Sequence, residues 1–178
     1  MVEYRRKNIE SHKGVQDMRH GHTTLSAIAA LGVLALSGCS LFDSDPPRDP
    51  DTGELLEPTE LNVFDLEVGD CLDEFSEGTD VSTVDAVPCD VSHTEEVYFS
   101  TQMPDGDYPG LEEARAFAEQ QCAEGFAEFV GIPWEDSELD FGYFNPTEAS
   151  WSEGDREVLC TITDPLSAIT GSLASVNR

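Results

Sequence analysis

His93 stands two and three residues ahead of Glu95 and Glu96, a grouping from which an imidazole could act as a general base. It is the only histidine after residue 38. No Gly-x-Ser-x-Gly elbow, second histidine or unpaired cysteine accompanies it after residue 39, so nothing supplies a nucleophile. A histidine at the start of a strand more often bonds backbone. The second grouping is Trp151 with Asp155 and Arg156. An indole face suits sugar stacking, and a guanidinium suits a carboxylate. The competing reading is a structural turn: Gly154 bends the chain and Arg156 pairs with a neighbouring acid. Third, Asp49, Asp51 and Glu60 fall at positions 1, 3 and 12 of a calcium loop. Gly53 and Glu54 then occupy the positions that need Asp or Asn and Gly, so the match reads as coincidence in an acid-rich segment. There is no phosphate-binding glycine loop. The expectation is a protein that is not an enzyme and has no metal and no cofactor.

The cysteines carry clearer chemistry. Residues 25–36 form a short apolar run, LSAIAALGVLAL, preceded by a basic, polar stretch. The run is too short to span a bilayer and suits the core of a signal peptide. Leu36-Ser37-Gly38-Cys39 follows directly and resembles the lipobox of bacterial lipoproteins. Small residues before the cysteine let the chain enter a peptidase groove, and the thiol takes a diacylglyceryl group. Residues 1–38 are therefore expected to be a lipoprotein signal peptide and Cys39 the lipidated residue. Met18 lies at the usual distance before the apolar run and is an alternative start. Arg5-Arg6 lies too far from that run for a twin-arginine signal. Two or more acyl chains hold a protein stably on a membrane where one does not. The expected location is thus the extracytoplasmic side of the cell membrane, with the membrane reached through the anchor.

Four further cysteines, Cys71, Cys89, Cys122 and Cys160, would face an oxidising compartment, where two disulfides are the default. Three connectivities exist. Cys71–Cys89 would close a local hairpin, and Cys122–Cys160 would join a helix face to the inward face of the last strand; this pairing is preferred. The spacing offers no CxxC or HxxxH zinc pattern.

Of the chain's 37 acidic residues, 34 lie from Cys39 onward, against Arg48, Arg115, Arg156 and Arg178 alone. The exported part carries a net charge of −30 and no lysine. Such a surface repels nucleic acid and anionic headgroups and keeps a secreted protein soluble.

Residues 39–61 hold the lipidated cysteine and a linker rich in Asp, Glu and Pro without period, read as a disordered tether. Residues 62–166 read as the domain and 167–178 as a C-terminal tail. Strands are expected at 63–66, 71–72, 81–89, 95–100, 139–144 and 157–162. One helix is expected over 111–130, with Leu111, Ala114, Ala118, Cys122, Phe126 and Phe129 as its apolar stripe and Gly131 as its stop. The fold class is α+β: a small antiparallel sheet with one main helix packed on a face, stapled by two disulfides.

Taken together, Val68-Gly69-Asp70-Cys71-Leu72, Val87-Pro88-Cys89 with His93 and Glu96-Val97, Cys122 in its helix, Pro146-Thr147 and Trp151, and Gly154-Asp155-Arg156 with Val158 and Cys160 resemble the septum-formation domain family of actinobacterial membrane proteins and lipoproteins. The resemblance spans about residues 68–162. Ser92 stands where that family commonly has proline, a mild departure. The resemblance implies an envelope protein tethered by lipid or a single helix, with a link to division septa and no defined reaction. The function expected is a non-catalytic module binding an envelope protein or cell-wall component. The alternatives are a secreted hydrolase with an unrecognised site, or an acidic, salt-adapted lipoprotein with no specific ligand.

Overall fold

The computed structural model describes residues 1–6, 46–73 and 78–178. Cys39 and the apolar run before it lie outside the described residues. The strands are β1 (Val2–Arg6), β2 (Thr59–Asn62), β3 (Cys71–Leu72), β4 (Gly78–Val81), β5 (Thr83–Val87), β6 (Glu95–Gln102), β7 (Asp140–Asn145) and β8 (Glu157–Thr163). They form one antiparallel sheet in the order β2-β5-β3-β6-β8-β7-β1-β4. Ser82 alone separates β4, at one end of that order, from β5, the second strand from the other end, so the sheet curls on itself.

Side-chain alternation along the strands divides the core in two. Leu61, Leu72, Val84, Val97, Phe144 and Leu159 gather on one side of the sheet, with Val2 and Tyr4. Phe141, Tyr143, Val158, Cys160 and Ile162 face the other side and meet the helix α1 (Leu111–Val130) through Ala118, Cys122 and Phe126. A fully buried Phe such as Phe126 contributes about 1.5–3 kcal/mol. The helix begins with Glu112 and Glu113 in its first turn, which favours the positive end of its dipole. It ends at Gly131, whose φ of +99° lets its N–H reach the Ala127 carbonyl at 3.1 Å. Among the described residues, the α+β class, one main helix and both disulfides follow the sequence expectation. Cys71–Cys89 and Cys122–Cys160 have Cα–Cα distances of 5.3 and 5.5 Å.

Four segments differ from their sequence reading. Residues 63–66 are not a strand. Val63–Asp65 is a 3₁₀ turn, capped by the Asn62 side chain accepting from the Phe64 N–H at 3.0 Å, and the strand lies just before it. Residues 46–61, read as part of a disordered tether, pack on the domain. Leu55 and Leu61 are buried, and Arg48 donates to the two oxygens of Asp70 at 2.6 and 2.9 Å. Two leucines and one arginine supply the contacts that the acidic average concealed. Residues 167–178, set apart as a tail, are also tied down. Ile169 exchanges backbone bonds with His93, and the Glu96 carboxylate accepts from the Ser172 hydroxyl at 2.6 Å and the Leu173 N–H at 2.8 Å. Finally β1, which lies within the stretch read as a signal peptide, sits inside the sheet between β7 and β4.

Candidate functional site

Trp151 and Arg156 are brought together, and each is occupied by the other. A short helix, α2 (Glu148–Ser152), carries Trp151. Its capping box is built by Thr147 and Ser150, whose side chains accept from each other's backbone N–H at 3.2 and 3.1 Å. The indole Nε1 donates to the Gly106 carbonyl at 3.0 Å. The Arg156 guanidinium carbon lies 3.6 Å from the ring centroid, and the Tyr108 ring stands 5.6 Å away. Trp151 is 7% exposed, so no indole face is open for a sugar. Arg156 donates to the Trp151 and Asp155 carbonyls at 3.0 and 2.6 Å and pairs with Asp105 at 3.6 Å. Asp155 accepts from the Glu157 N–H at 2.9 Å. The cluster braces the turn between β7 and β8.

His93 is 1% exposed and its Nδ1 donates to the Val91 carbonyl at 2.8 Å. A general base must reach the proton it removes; this ring is enclosed. It stands away from the Trp151 cluster in sequence and pairs through its backbone with Ile169. Glu95 and Glu96, its neighbours in sequence, point to opposite sides of β6. Glu96 holds the C-terminal segment, as above, and Glu95 enters a different network. Among the described residues, no group of three or more His, Cys, Asp or Glu side chains is placed to hold a metal ion. The Asp49 carboxylate instead accepts from the N–H groups of Asp51 and Thr52 at 2.9 and 3.0 Å, closing a turn.

Among the described residues, a further buried polar cluster joins Glu95 to the N-terminal strand, which the sequence reading did not single out. Glu95 has no exposed surface. Tyr4 donates its hydroxyl to one carboxylate oxygen, and Arg6 holds the other through Nε at 2.6 Å and Nη2 at 2.5 Å. The Tyr4 hydroxyl also lies 3.3 Å from Thr161 Oγ1. Burial raises the Glu95 carboxyl above the usual range, while Arg6, Thr161 and Tyr4 pull it back. Burial likewise pushes the Tyr4 phenol well up, with the Glu95 charge acting in the same direction. Gly142 makes room for this arrangement. A Cβ there would lie 2.8 Å from Tyr4 Cζ and 2.9 Å from Thr161 Oγ1. On the opposite face of β1, Glu3 is buried and forms an ion pair with Arg115 of α1, with a second bond from Arg115 Nε at 3.0 Å.

Arg6 also lines a cavity of about 550 Å³ with Thr94, Asp140, Thr163 and Asp164, rimmed by the exposed Leu166. Burial works to raise the Asp164 carboxyl. The Arg178 guanidinium, the Leu166 N–H and the Ser167 hydroxyl outweigh it and hold the carboxyl below the usual range. The Arg6 and Asp164 charges at the cavity are thus already paired. Two signals could have found this region. Two acids at 95–96 lead into the apolar run Val97-Tyr98-Phe99, and Val2-x-Tyr4-x-Arg6 alternates as a strand does.

Among the described residues, no helix is long and apolar enough to cross a membrane. No curated protein and no solved structure matches the chain. A family model described as septum formation matches residues 68–177, more than half of the chain.

Proposed function

Because this chain belongs to the septum-formation family, we propose that it is a lipid-anchored protein of the extracytoplasmic envelope, acting as a binding module without enzymatic turnover. The observation that carries the anchor is the passage from the apolar run of residues 25–36 directly into Leu36-Ser37-Gly38-Cys39. Two disulfides in the domain support an oxidising compartment. The lack of turnover is supported by the state of the candidate catalytic groups: His93 is enclosed, and all four domain cysteines are paired. The net charge of −30 beyond residue 38 favours basic or neutral envelope partners over nucleic acid. Partners of that kind are envelope proteins or cell-wall components.

The test is hydrolysis and binding side by side. Purified protein is incubated with peptidoglycan and with peptide substrates, and its capture of envelope fractions is measured in parallel. Capture without turnover supports the reading. A hydrolytic rate that disappears with His93→Ala would overturn it.

A further inference from the structure

Strand β1 lies on the N-terminal side of Cys39, yet it fills a slot in the domain. Residues Glu3 to Arg6 pair with Asn145 to Gly142 of β7, and Val2 and Tyr4 pair with β4. Its side chains alternate into prepared sockets. Val2 and Tyr4 enter the inner core, Tyr4 rests over Gly142, and Arg6 reaches the enclosed Glu95. Between them, Glu3 meets Arg115 on the helix side. Cleavage before Cys39 would separate this strand from the domain. Glu95 would then lose Tyr4 and Arg6, Arg115 would lose Glu3, and β7 would present an unpaired edge within the sheet. A buried carboxylate without its counter-charge and an open strand edge are both costly. A strand added to that edge would satisfy both, with backbone bonds giving affinity and alternate side chains giving specificity.

We propose that the slot beside β7 is a peptide-binding site in the processed protein, taking an extended segment of a partner protein. This inference rests on the lipid-anchor reading for the opening of the slot. The occupant runs antiparallel to β7 and carries, from its N-terminus, an aliphatic residue, an acid, a tyrosine, any residue and an arginine. Each position answers a feature of the slot. The aliphatic residue fills the inner core, and the acid faces Arg115. The tyrosine lies over Gly142 and donates to Glu95, and the arginine neutralises that same carboxylate. In the unprocessed chain, the slot is held closed by residues 2–6.

The probe is a fluorescein-labelled peptide of residues 1–7, added to processed protein purified from membranes in detergent. Intact mass reports independently whether residues 1–38 have been removed. Saturable binding is expected, weakened at least tenfold by Tyr4→Ala or Arg6→Glu in the peptide. Amide hydrogen exchange across residues 141–145 should slow on binding. The slot is also read without native processing, in the full chain carrying a protease site after Lys13. Cutting should let the labelled peptide exchange in, while the uncut chain should not take it up. A folded, processed protein that ignores the peptide, or binds a scrambled sequence equally, overturns the proposal. Retention of the cleaved 1–38 fragment in the slot overturns it too. Residues 1–38 still attached would refute the anchor and the opening together, and peptide exchange in the cut chain would still report the slot's own chemistry.

Discussion

Arg6 and Glu95 are 89 residues apart in the chain, and the guanidinium Nε lies 2.6 Å from a carboxylate that has no exposed surface. Removing one partner of a buried ion pair costs about 3–5 kcal/mol, much of it from the charge left behind. Arg6→Ala in the full, unprocessed chain should therefore lower stability by roughly 3 kcal/mol at pH 8. The pH dependence has a definite sign. Burial already raises the Glu95 carboxyl, and loss of Arg6 raises it further. Between the unfolded value of about 4.3 and the raised folded value, the folded state binds more protons, so stability falls as pH rises. The deficit of Arg6→Ala relative to the parent should be largest above the folded pKa and shrink as the pH is lowered toward about 5. Urea midpoints at the two pH values check this; an equal deficit at both would contradict it.

Gly142 leaves the notch that the Tyr4 ring and Thr161 occupy. Gly142→Ala should force β1 outward and cost about 1–3 kcal/mol in the full chain, as overpacking does. Hydrogen exchange at Glu3 to Arg6 should accelerate more than exchange in β8. A variant whose β1 amides stay as protected as the parent's would show that the close approach is relieved elsewhere.

The two disulfides close loops of different length, with sequence separations of 18 and 38. By loop entropy, Cys71–Cys89 contributes about 3 kcal/mol and Cys122–Cys160 about 4 kcal/mol. Mass mapping under non-reducing conditions should recover these two bridges. The double substitution of Cys122 and Cys160 to alanine should lower the melting temperature more than that of Cys71 and Cys89. The reverse order would mean that the unfolded-state account does not govern this domain.

Trp151 is packed beneath Arg156 and beside Tyr108, so its removal leaves a hole rather than an empty binding face. Trp151→Ala should cost about 3–5 kcal/mol. Arg156→Ala should cost less, since its salt-bridge partner Asp105 is fully exposed. Thermal melts of both variants test the order. A Trp151→Ala domain that melts like the parent but fails to capture envelope partners would return these residues to a binding role.

Legibility followed the range of each signal. The helix α1 was readable to its ends, because Ala114, Ala118, Cys122 and Phe126 repeat at helical spacing and Gly131 stops the run. The last two strands were readable because alternation is local, and the pairing of Cys122 with Cys160 followed from which faces those elements bury. Leu55 and Leu61 were not readable as core. Each is one apolar residue among acids and prolines, and burial of a single residue has no period. Glu96 was not readable as the anchor of the C-terminal segment, since Ser172 and Leu173 reach it across more than 75 residues. The slot of β1 was hidden for a different reason. Tyr4 and Arg6 lie in a stretch whose composition also serves targeting, and the partner Glu95 shows its role only when the sheet is assembled.

The proposed anchor at Cys39 governs both the proposed location and the fate of β1. Its most direct measurement is the intact mass and N-terminal peptide of the protein isolated from the membranes of the cells that make it. A first residue at Cys39 bearing a diacylglyceryl group is predicted, together with accumulation of the uncleaved chain when the lipoprotein signal peptidase is blocked by globomycin or Cys39 is changed to alanine. An unlipidated chain that begins at Met18, or one that begins at Met1 with β1 still seated against β7, would contradict the account.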